Sequence, residues 1–268
     1  MNDIIVSVII VNYNGKKYIK NCFDSLQQKL SNLSYEIIVV DNISSDDSVN
    51  YIKENYPEIV LIESDVNLGF GRGNNLGVTH AKGKYVLLFN NDTILLDPID
   101  KAISFLENNT DVGVLGIKMF DGNHNYLQSA GIFPNYINMI FFKKLFINTP
   151  EFIVGNFTKK TYNVDWISGA FMLLKKELYD DIDGFDKDYF MYVEDVDFCK
   201  KISDKNLKRI YFPSLKYIHF VGFNTSKNPL IINGYKIYIK KHHKNIINKS
   251  MLIICLSISF LIKKIKYD

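Results

Sequence analysis

The chain has 268 residues, 47% hydrophobic and 23% charged, with a net charge of +3; this suits one large α/β domain, alone or with an appendage, and excludes a disordered chain. Eight lysines and one aspartate fall between residues 234 and 268, so the tail is basic and the preceding 233 residues are net negative. Without clustered arginines, that body does not suit nucleic acid as a partner.

Cys22, Cys199 and Cys255 are widely spaced and support neither a disulfide framework nor a cysteine zinc site, which points to a reducing compartment. The apolar run Ile4 to Val11 lacks a basic leader and reads as a strand, not a secretory signal, so the triplets at Asn156 and Asn224 carry no weight as glycosylation sites.

Strands are predicted at about 4–11, 36–41, 59–63 and 84–89. Helices are predicted over 17–30, where Ile19, Cys22, Phe23, Leu26 and Leu30 share a face, and over 45–54, which opens on Ser and Asp residues. This alternation implies βαβ units and a mostly parallel sheet. Asn12, Asp41 and Asn90 to Asp92 fall at the carboxyl ends of strands, where open α/β sheets collect ligands.

The glycines Gly69, Gly71, Gly73 and Gly77 make a weak dinucleotide signal, because a Rossmann fingerprint follows the first strand and Asn12 to Lys16 holds a single glycine. Gly77 to Tyr85 likewise misses a P-loop. The glycines either ease helix packing or let backbone approach a nucleotide beside the Asn74 amide, and the second is expected here. Asp92 ends a buried-looking strand as a turn residue or as the ligand of a phosphate-bridging cation.

The pattern loosens over 117–165, an expected insertion over the site whose aromatic-basic run 140–146 either touches a lipid acceptor or caps the core. Order returns at 164–174, then in an acidic segment, then in strand-like runs 208–212 and 216–221. Glu194 and Asp195 open a helix predicted over 193–202, where acids stabilise the dipole by about 0.3–1 kcal/mol. The same dipole predicts an ionised Asp195, as a general base requires, facing an apolar wall of Tyr189, Phe190 and Tyr192. His219 is a structural histidine unless the fold brings it to Asp92, and His242 and His243 are expected to be solvated among the tail lysines. The apolar run 251–262 would reach about 18 Å as a helix, short of a hydrocarbon core of about 30 Å. Lysines on both sides suit a helix lying in an anionic membrane surface, the alternative being a helix packed on the body.

An ordered set of motifs runs through Val8 to Asn14, Ile38 to Asn42 with Ser44 and Asp46, Asn67 to Gly71 with Asn74 and Gly77, and Leu88 to Asp92. Gly169 to Met172, Gly184 to Asp186, Phe190 to Asp197 and His219 follow. Over about residues 5–226 the chain resembles inverting family 2 glycosyltransferases of the GT-A fold, in the rhamnosyltransferase-like branch of bacterial surface-polysaccharide (O-antigen) synthesis.

The resemblance implies a GT-A-like nucleotide-binding sandwich. Residues 1–233 would be catalytic, with a nucleotide-sugar half (1–116) and an acceptor half (117–233), and 234–268 would be a membrane-surface tail. Val11, Asn12, Tyr13, Asn14, Asp41, Asn42, Gly71, Asn74, Asn90 and Asn91 would hold the donor. Asp92 and His219 would hold Mg²⁺ or Mn²⁺, Asp195 would be the base, and Glu194 would orient the acceptor hydroxyl. The family's Asp-x-Asp appears as Asn90-Asn91-Asp92, one charge fewer, which implies weaker metal binding.

The implied partners are a nucleotide-diphospho-sugar such as dTDP-rhamnose, a saccharide or lipid-linked saccharide acceptor and an anionic membrane surface, at the cytoplasmic face of the cytoplasmic membrane. A sugar-phosphate nucleotidyltransferase would carry a Gly-rich basic loop after its first strand, which Asn12 to Lys16 does not supply. A non-catalytic sugar- or membrane-binding scaffold would show no donor hydrolysis.

Overall fold

In β1 (Val6–Asn12), Val6, Val8 and Ile10 enter one apolar cluster while Ile9 enters another, as the two-residue period of a strand requires. β2 (Tyr35–Asp41) separates Ile37 and Val39 from Ile38 in the same way. Both faces are buried, so these strands read as near-continuous apolar runs. A computed structural model describes residues 3–220 and 228–267. Val221, Asn224 and the side chains of Lys263, Lys264 and Lys266 lie outside the described residues.

One face is covered by α1 (Lys16–Lys29) and α2 (Ser48–Asn55), through Ile19, Cys22, Phe23, Leu26 and Ile52. β3 (Val60–Glu63) leads to α3 (Gly69–Val78), which covers the opposite face and is a helix despite its glycines. Gly73 and Gly77, one turn apart, face the sheet; a Cβ on Gly73 would stand 3.0 Å from Val11, and one on Gly77 2.5 Å from Ile9. The missing side chains let α3 lie close on β1, so packing overrides low helix propensity.

β4 (Tyr85–Phe89), β5 (Thr93–Leu95) and α4 (Asp100–Asn108) precede β6 (Val112–Phe120). The expected insertion beginning at 117 is corrected at its start, because β6 is a central strand with Val114, Leu115 and Ile117 buried. Gly113 and Gly116 interrupt its apolar pattern and hide it from a propensity reading. The expected boundary between the two halves at 116/117 falls inside this strand.

Short elements then follow: β7 (Tyr126–Leu127), β8 (Ala130–Gly131), α5 (Tyr136–Ile140), a 3-10 turn over Phe142–Leu145, α6 (Pro150–Val154), β9 (Tyr162–Val164) and β10 (Trp166–Ile167). β11 (Phe171–Lys175), α7 (Lys176–Asp181) and α8 (Glu194–Asp204) lead to β12 (Lys208–His219). β12 is one strand with a register break between Phe212 and Lys216, at Pro213, where two runs were expected. The main sheet has the order β3-β2-β1-β4-β11-β6-β12-β5. Six of these eight strands run the same way, and β11 and β5 oppose them. The fold is α/β with a mostly parallel sheet.

α9 (Asn228–His242) and α10 (Ile246–Tyr267) complete the chain. The expected tail boundary at residue 233 falls within α9, whose Tyr235, Tyr238 and Ile239 share an apolar cluster with Val196, Phe198 and Cys199 of α8. Leu252, Leu256 and Ser259 line the buried stripe of α10, which packs against α5 and α9. Ile247, Met251, Ile254 and Ile258 line the opposite, exposed stripe. Among the described residues no helix is long and apolar enough to cross a membrane.

Candidate active site

The carboxyl ends of β1 and β2 lie side by side, with Asn12 paired to Asp41. Asn12 Nδ2 donates to Asp41 Oδ1 at 2.7 Å, and Ser44 donates to both Asp41 oxygens, from Oγ at 2.6 Å and from its backbone N–H at 2.8 Å. Asn14, in left-handed conformation at φ 52°, accepts from the backbone of Ser45 and Asp46 at 2.7 and 3.2 Å. Asn and Asp tolerate that region better than other residues. Tyr13 projects beyond β1 with 53% of its surface exposed, while Val11 packs inward against Gly73. Asn42 Nδ2 donates to Gly69 O at 3.0 Å and ties β2 to the start of α3.

Asn91 Nδ2 donates to Asn12 Oδ1 at 2.8 Å, joining β4 to this network. Asp92 is buried, and its Oδ1 lies 3.2 Å from His219 Nε2, which also lies 3.3 Å from Asn90 Nδ2. β12 pairs with β5, which sets His219 opposite Thr93 and so beside Asp92. The fold thus brings His219 to Asp92, the condition on which its functional reading depended. Among the described residues no three His, Cys, Asp or Glu side chains cluster as a closed metal cage. One carboxylate and one imidazole form a donor set that suits a divalent cation finished by waters and substrate phosphates.

Asp195 Oδ2 accepts from Gly169 N–H at 3.1 Å, and the next residue, Ala170, accepts through its carbonyl from Asn90 N–H at 3.2 Å. A single turn therefore ties the start of α8 to the end of β4. The buried Tyr217 hydroxyl is pushed up by burial and by the negative charges of both Asp92 and Asp195. The two acidic centres act on one region.

Burial raises Asp195 above the ordinary carboxylate range, while backbone N–H groups of Gly169 and Val196 draw it back down. Burial and then the Asp195 charge push Glu194 up to about 8. The helix dipole alone predicts an ionised Asp195, and desolvation opposes that tendency. Two backbone N–H groups bond the Asp195 carboxylate, whereas Glu194 Oε2 is buried without a partner, so negative charge is better supported on Asp195 than on Glu194. Both residues before α8 have positive φ, Tyr192 at 71° and Val193 at 73°. For a β-branched valine this is a strained conformation of the kind that persists only where surroundings enforce it.

The glycosyl transferase family 2 model matches residues 7–183. The chain belongs to that family. This family 2 glycosyltransferase is similar to the rhamnosyltransferase WbbL of Escherichia coli K12, 30% identical over 224 residues that cover 80% of this chain and 83% of the relative. It is also similar to the N-acetylglucosaminyl-diphospho-decaprenol L-rhamnosyltransferase of Mycobacterium tuberculosis, at 23% identity over 90% of this chain and 82% of the relative. Among solved structures, GalNAc-T7 with UDP, GalNAc and Mn²⁺ superposes with a TM-score of 0.68 at 14% identity, over 89% of this chain and 48% of that one.

Gly71 and Asn74, expected at the donor of this glycosyltransferase, make contacts beside and within α3. A Cβ on Gly71 would stand 2.9 Å from Phe185, and Asn74 Nδ2 donates to Phe70 O at 3.0 Å. Gly71 packs against Phe185 of the acidic segment, and the Asn74 bond lies within α3 itself. His242, expected in solvent, is corrected: Nε2 lies 2.6 Å from Asp197 Oδ1, with 14% of the side chain exposed. Ser44 and Gly169 carry site contacts and stood in the motif set without assigned roles. The pairing of Asp197 with His242 carried no local signal, the two being 45 positions apart.

Proposed function

We propose that this glycosyltransferase moves rhamnose, with inversion, from a nucleoside-diphospho-sugar to a lipid-linked saccharide in surface-polysaccharide synthesis. The observation that carries this reading is the 168–170 turn, which binds Asp195 on one side and Asn90 on the other, so that an acid-base centre and a phosphate-side centre are tied through one short segment. The named activities of the two rhamnosyltransferase relatives support the sugar, and the decaprenol-linked name of one supports the acceptor.

Tyr13 stacks on the donor base, and Asp41 with Asn12 and Asn14 receives the ribose. Asn90 and Asn91 face the diphosphate, with Asp92 and His219 as the residues that would hold a divalent cation. That cation, when bound, supplies positive charge to the leaving diphosphate. The acceptor oxygen attacks the anomeric carbon from the face opposite the diphosphate. The new C–O bond forms as the sugar–phosphate bond breaks; the hydroxyl proton passes to Asp195, and the nucleoside diphosphate departs with the bonding electrons. Protonated Glu194 donates a hydrogen bond that orients the acceptor. Alignment of the reacting groups supplies much of the acceleration.

The exposed stripe Ile247, Met251, Ile254 and Ile258, with Lys249 on the same helix and Phe141, Lys143 and Lys144 just after α5, the helix that packs on α10, lies on an anionic bilayer at the inner face of the cytoplasmic membrane, near a lipid-linked acceptor.

Thermal-shift measurements against nucleotide sugars, with and without Mn²⁺, test the class. A stabilisation by dTDP- or UDP-sugars of about 2.7 kcal/mol at a hundredfold excess over Kd is expected. No response to any nucleoside diphosphate overturns the reading.

A further inference from the structure

We propose that α9 is a buttress for the acceptor-side carboxylates and that His242 is the positioning residue through which it acts; this rests on the reading of Asp195 as the base. Gly234, Tyr238 and His242 recur every four residues and so share one face of α9. That face runs along the beginning of α8. A Cβ on Gly234 would stand 2.6 Å from Tyr192 O and 2.8 Å from the Val193 side chain, so α9 backbone presses directly on the two strained residues that launch α8. Two turns later, His242 Nε2–H donates to Asp197 Oδ1. The Tyr189 hydroxyl donates to the same oxygen at 3.1 Å, and Asp197 Oδ2 is buried without a partner.

Asp197 is 1% exposed and stands two residues beyond Asp195 in the first turn of α8. The Tyr238 ring lies 4.6 Å from the His242 imidazole between centroids and fixes its plane. The strained start of α8 has no side-chain cap, and its geometry is imposed from outside by Gly234 at one point and His242 at another. Lys241 bridges Asp186 and Asp188 at 2.7 Å beside them, but these partners are more exposed and hold the turn less firmly. Without His242, Asp197 keeps one partner for a buried carboxylate. The turn then shifts, and the Asp195 bond to Gly169 loosens.

The experiment compares the full-length wild type with His242→Ala and His242→Gln, whose amide N–H reaches where Nε2–H does. Expected for His242→Ala is a fall in transfer kcat of at least about tenfold, since a displacement of about 1 Å can cost about 10²-fold, with the donor KM changed less than about twofold. Amide hydrogen exchange in a peptide spanning residues 166–172 should rise while that of β1 stays constant. His242→Gln should restore both readouts. Wild-type kcat in His242→Ala, unchanged exchange at 166–172, an equal loss on the donor side, or a Gln variant no better than Ala each overturns the proposal. A wild-type protein that transfers no sugar sinks the functional reading instead, and the exchange measurement still decides the buttress.

Discussion

The donor end and the acceptor end of the site are built by different means. At the donor end, Asn12, Asp41, Ser44 and Asn91 bond one another at the ends of adjacent strands, and the sheet register alone sets them side by side. At the acceptor end, buried Glu194 and half-buried Asp195 start a helix from left-handed Tyr192 and Val193. They are held by the 168–170 turn and by a helix from the far end of the chain. The first arrangement is rigid through local geometry; the second stores strain and charge that distant contacts must maintain. Donor binding should therefore tolerate disturbance of the tail, and transfer should not.

The largest effect that could break this contrast is expected from Asp195→Asn. Transfer should fall by about 10²-fold or more, the scale of a positioned base, with donor binding by thermal shift retained; comparable turnover would remove Asp195 from the role.

Asp41→Asn should do the reverse. Losing one charged hydrogen bond to the donor costs about 1.5–3 kcal/mol, so the donor KM should rise about tenfold or more while kcat stays within about threefold. Steady-state kinetics with varied donor would show whether the split is real.

Glu194→Gln sharpens the electrostatic side. Because the folded-state value is raised from 4.5 to about 8, the folded chain keeps a proton that the unfolded chain has already lost. Stability therefore falls as pH rises through that window. Gln removes the penalty, so Tm at pH 8.5 should exceed wild type by at least about 2–4 °C, the effect of roughly 1 kcal/mol in a domain of this size. The gap should narrow towards pH 5.5, and a gap independent of pH would count against a protonated Glu194.

The smallest expected effect lies furthest from both ends. Met251→Glu with Ile254→Glu should weaken cosedimentation with anionic vesicles severalfold and leave Tm unchanged, as both side chains are exposed. Undiminished binding would place the membrane contact elsewhere.

The parallel strands and the first helices were legible because apolar runs and amphipathic periods are local properties, and Asn12, Asp41 and Asp92 followed from strand ends. The glycines of α3 were ambiguous, since their sequence spacing suits either a phosphate or a closely packed sheet; the tertiary structure adds that Val11, Ile9 and Phe185 stand where their Cβ atoms would be. β6 was hidden by glycines within it.

By itself the sequence determined the α/β architecture, the motif order and the acidic residues available for chemistry, because these depend on short-range pattern and residue type. Tertiary structure decided their states and neighbours. It set the proton on Glu194, the meeting of Asp92 with His219 and the hold of His242 on Asp197, because burial and contacts across 45 to more than 100 positions exist only once the chain has closed on itself.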